Sequence, residues 1–250
     1  MMNLKRNILL VLIAASVASC GPSLAKRKEE SGIHYRMGII QLNDRKFTEA
    51  LKELTTAVDM YPDEPSYHNA LGLAYFARGM NKEAIEQMKR ASGLDPKLSE
   101  AHTNLAAVYI AESRWDEAIA ECRAAVANIF YRTPELAYYN MGQAYSGKGE
   151  YQNAVESYKK AVEYNPAYSL ANYNIGQILE KASDYPGALG AYEAAVKAEP
   201  GYVDAYYSMG VLKARLRDKP GAIKAFEKVM ELAPQTERAN SAKSYINLLK

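Results

Sequence analysis

Three histidines, His34, His68 and His102, stand 34 residues apart in a chain of 250. Histidines in register are the raw material of a metal centre, but the interval argues against one here. Equivalent positions on stacked helices lie about 10 Å apart, whereas zinc needs its ligands about 2 Å from the ion. A second candidate is Gly142-Gln-Ala-Tyr-Ser-Gly147-Lys148, which mimics the start of a phosphate-binding loop. It fails twice: Gly149 stands where Ser or Thr would bind magnesium, and the run follows a helix-forming stretch instead of a strand. No metalloprotease motif, nucleophile elbow or dinucleotide fingerprint occurs. The two cysteines, Cys20 and Cys122, are unsuited to pair, because Cys122 falls on an apolar helix face and reads as a small buried hydrophobe. Nothing in the chain reads as catalytic, and no metal or cofactor is expected.

The interval between the histidines is the deeper signal, because the whole chain keeps it. Ala50, Ala84, Ala118, Ala154, Ala188 and Ala222 are separated by 34, 34, 36, 34 and 34 residues. Twelve residues before each stands Gly38, Gly72, Ala106, Gly142, Gly176 or Gly210. Five copies close on Pro62, Pro96, Pro166, Pro200 and Pro234. In the second copy Tyr67, Ala70, Leu71, Ala74 and Tyr75 fall at helical spacing, Gly79 breaks the pattern, and Ala84, Ile85, Met88 and Ala91 resume it. Each copy therefore reads as helix, turn, helix, with a small residue where the two helices approach. Self-similarity at this period signals stacked helix pairs, each depending on its neighbours for burial.

The amino terminus reads as an address. Met1 to Arg6 is short and positive, Asn7 to Ala18 is apolar, and the run is too brief for a spanning helix of about 20 residues. Val17-Ala18-Ser19-Cys20 resembles the bacterial lipobox, which implies cleavage before Cys20 and a lipid on its sulfur. A soluble exported protein with an accidental Cys is the alternative. Each buried lipid methylene contributes about 0.8 kcal/mol, so several acyl chains would anchor the chain to a membrane stably. Gly21-Pro22 follows with no Asp, and by that resemblance points to the outer membrane, on its periplasmic face. Residues 20–30 are expected to be the lipidated Cys and a polar tether, after a signal peptide at 1–19. The charge balance is 31 Lys plus Arg against 29 Asp plus Glu, and removing the leader's Lys5 and Arg6 leaves 29 of each sign. A neutral chain with no basic block gives no footprint for nucleic acid.

Copies at 31–64, 65–98, 99–132, 135–168, 169–202 and 203–236 resemble the tetratricopeptide family, whose pattern is W-x2-L-G-x2-Y, A-x3-F, P. The fourth copy shows it in Tyr138, Met141, Gly142, Tyr145, Ala154, Tyr158 and Pro166. Gln41, Leu179 and Lys213 depart from the third aromatic, and Ala106 departs from the glycine. The resemblance implies an all-α, right-handed superhelical solenoid of six helix pairs, and the histidines would then fill its aromatic slot as packing residues. Residues 237–250, with Ala242, Tyr245, Ile246 and Leu249 on one face, read as a capping helix. Six copies on an outer-membrane lipoprotein, with two extra residues around Ile129-Phe130 between the third and fourth, resemble the type IV pilus biogenesis lipoproteins, the pilotins that help the secretin assemble.

That resemblance also implies where partners bind: a concave groove built from positions 2, 5, 6, 9, 12 and 13 of each copy. Near the amino-terminal end this gives Tyr35, Ile39, Leu42, Leu73 and Phe76, an apolar cluster that is either a partner site or covered by the tether or a neighbouring helix. Further along it gives Asn104, Asn140 and Asn174, with Tyr139, Tyr173 and Tyr207. Asparagine amides pair with peptide groups and tyrosines add rigid contact area, so this ladder suits an extended peptide. The basic clamp for a terminal carboxylate is missing, since Tyr35, Ile39 and Ala70 occupy its places. The expected partner is a secretin subunit or an extended peptide. Two other readings stay open: an adaptor for cell-wall enzymes or outer-membrane protein assembly, and an accessory subunit modulating a peptidoglycan enzyme.

Overall fold

The computed structural model describes residues 23–250. The signal segment, the lipobox and Cys20 lie outside the described residues. Among the described residues the chain is all-α: thirteen helices and no strand. None of these helices is long and apolar enough to cross a membrane. The chain forms two compact units, one ending at Leu94 and one running from Asp95 to Lys250.

The first unit holds α1 (Leu24–Asn43), α2 (Phe47–Met60), α3 (Pro65–Ala77) and α4 (Asn81–Leu94). Helix α1 begins seven residues earlier than its apolar pattern, inside the expected tether. The run Leu-Ala-Lys-Arg-Lys-Glu-Glu is made of good helix formers. Ser23 caps it by accepting from the Lys26 N–H at 3.3 Å, and Lys26 faces Glu30 one turn on at 3.8 Å. Residues 23–29 are exposed, so the missing periodicity marks an unburied helix. Packing starts at Ser31, fully buried, whose hydroxyl lies 3.3 Å from the Tyr67 phenol of α3.

The second unit holds α5 (Ser99–Ala111), α6 (Trp115–Ala127), α7 (Pro134–Lys148), α8 (Tyr151–Tyr164), α9 (Ser169–Lys181), α10 (Tyr185–Ala198), α11 (Val203–Arg215), α12 (Lys219–Leu232) and α13 (Glu237–Leu249). Each helix packs on the next. Helix α13 lays Ala242, Tyr245, Ile246 and Leu249 against Ala222, Phe226 and Val229, with the Phe226 and Tyr245 rings stacked 4.9 Å apart.

Within a pair, the approach is governed by the small residue of the first helix and the side chain sixteen positions on. A Cβ added at Gly142 would sit 2.6 Å from the Tyr158 ring, and one at Gly210 2.7 Å from the Phe226 ring; Gly176 meets Tyr192 in the same way. Leu54 and Met88 fill the equivalent places against Gly38 and Gly72. The third pair departs twice, and the departures match: Ala106 replaces the glycine and the small Cys122 replaces the large side chain, both fully buried. That accounts for a cysteine at this buried position, where burial pushes the thiol pKa up to about 12.

All six turns inside the pairs use one device. A residue in the left-handed region ends the first helix: Arg45, Gly79, Ser113, Gly149, Ser183 and Arg217, with φ between 56° and 80°. The N–H after it returns to the carbonyl five residues back, as from Asp184 to Leu179 at 2.9 Å, the Schellman closure. Only two of the six are glycine, although a side chain makes this conformation cost about 1 kcal/mol or more. At the longer junction, Asn128 accepts from the Phe130 N–H at 3.0 Å and donates to the Lys97 carbonyl at 3.1 Å. Tyr131 turns inward to the Thr103 hydroxyl at 2.9 Å, and the extra length leaves Ile129 and Phe130 exposed.

The histidines are more than packing residues, because each reaches the residue nineteen positions on. His34 meets Glu53 at 2.7 Å, His68 meets Gln87 at 2.7 Å, and His102 meets Glu121 at 2.6 Å. His102 also points Nε2 at the Pro96 carbonyl at 3.2 Å. Facing a carboxylate and a carbonyl, both ring nitrogens must donate, which only the imidazolium can do. The Glu121 hydrogen bond accordingly raises the His102 pKa, with Asp95 adding in the same direction and burial opposing.

Two outcomes follow for folding stability. In urea unfolding, Ser183→Gly should raise the unfolding free energy by about 0.5–1 kcal/mol, and Gly176→Ala should lower it by about 1–3 kcal/mol through overpacking on Tyr192; opposite signs would refute the turn and contact roles. His102 has a raised native pKa, so its contribution is complete below about pH 6.5 and lost as pH climbs through the elevated value. The stability gap between wild type and His102→Gln should therefore narrow from pH 6 to pH 9 in urea titrations; a constant gap contradicts the imidazolium assignment.

Candidate functional site

In the second unit, the first helices α5, α7 and α9 border an open cavity of about 430 Å³. Ile110 from α5, Trp115 from the start of α6 and Ile178 from α9 supply apolar wall. Gln143 and Ser146 from α7 and Asn174 and Gln177 from α9 supply amide and hydroxyl groups. Tyr151 and Lys181 complete the rim. Gly147 lets the Trp115 ring lie against α7: a Cβ there would be 2.8 Å from the indole. The Lys181 ammonium donates to the Tyr151 hydroxyl and sits 4.4 Å from its ring centroid, a cation–π contact. Gln177 spends one amide N–H on the Tyr173 hydroxyl at 3.1 Å. A larger cavity of about 530 Å³ between α11 and α12 is lined mainly by charged side chains of both signs, Lys213, Lys224, Glu227, Lys228 and Glu231, with Lys213 paired to Glu193 at 3.9 Å and Lys228 to Glu231 at 2.7 Å, and it offers no carboxamide. The first cavity is therefore the better candidate.

The residues chosen from sequence fall partly inside the scaffold. The Tyr139 ring lies tilted against Tyr158 at 5.5 Å and Tyr168 at 5.0 Å, and Tyr173 likewise against Tyr192 at 5.6 Å and Tyr202 at 5.1 Å. Tyr207 lies 5.8 Å from Phe226 and 6.3 Å from Tyr245. These rings join one pair to the next, and burial raises the Tyr139 pKa against the lowering effect of Asn174. Asn140 donates to the Thr103 carbonyl at 3.2 Å and Asn174 to the Tyr139 hydroxyl at 3.2 Å. Each amide thus braces the preceding first helix; Asn174 also lines the cavity, while Asn104 is half-buried in α5. The expected ladder of open amides is corrected to this extent.

In the first unit, Tyr35, Ile39 and Leu42 pack against the cluster of Leu54, Ala70, Leu71 and Ala74, and neighbouring helices cover them in part. Tyr35 stacks on Tyr67 at 4.9 Å, and burial is the main cause of its raised pKa. Leu73 and Phe76 are half-buried. The large apolar side chains left exposed on α1 are Leu24 at its start and Ile33, Met37 and Ile40, the last three forming one stripe at helical spacing. Among the described residues no cluster of three or more metal-ligating side chains exists.

Sequence reasoning missed Trp115, Gln143, Tyr151, Gln177 and Lys181. The signal was present: Gln143, Gln177 and Lys181 occupy groove positions 9, 9 and 13 of their copies, and Phe47, Trp115, Tyr151 and Tyr185 recur as aromatic first residues of second helices. The glutamines were passed over for the more conspicuous tyrosine–asparagine pairs.

Tetratricopeptide repeat profiles match residues 35–99 and 173–237, 75–129, and 136–168. No curated protein matches the chain. Among solved structures, PilF of Pseudomonas aeruginosa is similar with a TM-score of 0.76 at 17% identity, covering 88% of this chain and 99% of that one. PilW, a widely conserved type IV pilus biogenesis factor, is similar with a TM-score of 0.76 at 17% identity, over 85% of this chain and 98% of that one. YrrB, a protein of the same repeat type with an unusual peptide-binding site, gives a TM-score of 0.57 at 21% identity, over 76% and 97%. Identities this low speak to the fold alone; the matching profiles and the repeated helix pairs establish that this chain belongs to the tetratricopeptide repeat family.

Proposed function

We propose that this chain is a lipid-anchored scaffold on the periplasmic face of the outer membrane that grips a secretin subunit, or an extended segment of one, during type IV pilus assembly. The likeness in fold to PilF and PilW along nearly their whole lengths is the observation that carries this reading. The lipobox resemblance at Val17-Ala18-Ser19-Cys20 supports the anchor. The cavity beside α5, α7 and α9 supports the grip, because carboxamides and aromatic faces next to apolar wall suit a peptide backbone and its side chains. The work is binding rather than catalysis.

Two measurements test it. Cys20→Ser should move the protein from the outer-membrane fraction to the soluble periplasm with its fold unchanged; retention in the membrane fraction removes the anchor. Gln143→Arg with Gln177→Arg should reduce secretin recovered by pull-down from detergent-solubilised envelopes at least fivefold, about 1 kcal/mol, with an unaltered melting curve. Undiminished recovery removes the groove.

A further inference from the structure

The charges around the cavity are one-sided. Lys148, at the end of α7, is neutralised by Asp116 at 2.6 Å and Glu150 at 2.8 Å, and Arg114 is held by Glu117 at 2.8 Å. Glu180 is occupied by the Tyr192 hydroxyl at 2.9 Å and by Arg215 at 3.9 Å. Lys181 is the one lining residue with a formal charge, and among the described residues it has a phenol and a ring for company but no carboxylate. An ammonium resting on a phenol exchanges a weak acceptor for a strong one when a carboxylate arrives. Beside it, Ile110, Ile178 and the Trp115 face form apolar wall that, among the described residues, no side chain fills.

We infer that this cavity selects an acidic–apolar segment: an extended peptide that sets an aliphatic side chain against Trp115 and, close by along the strand, an Asp or Glu carboxylate against Lys181. The inference rests on the groove reading above and adds the partner's chemistry. The two recognition elements come from different copies, Trp115 from the third and Lys181 from the fifth, so an extended segment meets both and a single bound amino acid does not. Gln143 and Gln177, at equivalent positions between them, pair with the peptide groups that separate the two side chains. A basic partner is disfavoured by the same geometry, because its charge would face Lys181 with no acid to receive it.

Trp115 is the chain's single tryptophan, so its emission reports occupancy of this cavity. The probes are three acetylated and amidated nonapeptides in one serine–glycine frame, each with Leu followed two residues later by Glu, Gln or Lys. With the full chain, the Glu probe should shift Trp115 emission and bind about twofold to fivefold tighter than the Gln probe, the range of an exposed ion pair. The Lys probe should bind weakest. The Glu advantage should vanish in Lys181→Gln and at 1 M salt, while the Gln probe keeps its affinity. A Glu preference that survives Lys181→Gln, or equal binding of all three probes, overturns the proposal. In the second case the groove reading stands, since Trp115 still responds. Silence of Trp115 toward every probe also overturns it, and the glutamine pull-down then decides the groove reading alone.

Discussion

Two helices can pack this closely only where one of them has almost no side chain. In five pairs that place belongs to a glycine, and the space above it is filled by Leu54, Met88, Tyr158, Tyr192 or Phe226 from the second helix. Everything downstream uses this contact. It sets the separation within a pair, which lets Tyr139 and Tyr173 reach both the partner helix and the residue opening the next pair, and lets Tyr207 reach Phe226 and Tyr245 of the final helix. That reach joins successive pairs into one face on which groove side chains recur.

The helix pairs and their turns were legible in the sequence because they rest on local rules repeated six times. Gly at one position, Ala twelve later and Pro at the close are visible to inspection. The left-handed turn was legible only at Gly79 and Gly149; Arg45, Ser113, Ser183 and Arg217 hide the same conformation behind side chains that do not favour it. The helical start of α1 was not visible in the sequence for a related reason. Apolar periodicity detects burial, and Leu24 to Glu29 form a helix that buries nothing.

The site was less legible, because partner choice depends on distances that span copies. Asn140 looked like an open amide until its donor was found on the Thr103 carbonyl, 37 residues away. Tyr35, Ile39 and Leu42 looked like an apolar patch, and in the fold each spends part of its surface on the cluster of Ala70, Leu71 and Ala74. Lys181 attracted no notice in the sequence, where one lysine resembles another. Its character comes from Tyr151 beneath it and from the carboxylates that are engaged elsewhere.

The matched swap in the third pair carries a consequence for how such a chain changes over generations. Ala106 tolerates only a short neighbour sixteen residues on, and Cys122 is short enough, whereas Tyr158 or Tyr192 in its place would collide. The two halves of a hairpin are therefore inherited as a unit. Gene duplications or crossovers that cut between hairpins keep knob and hollow together; those that cut through one mix an alanine with a ring, or a glycine with a thiol. Breakpoints that preserve the contact fall at the junctions between copies, five of which are marked by a closing proline.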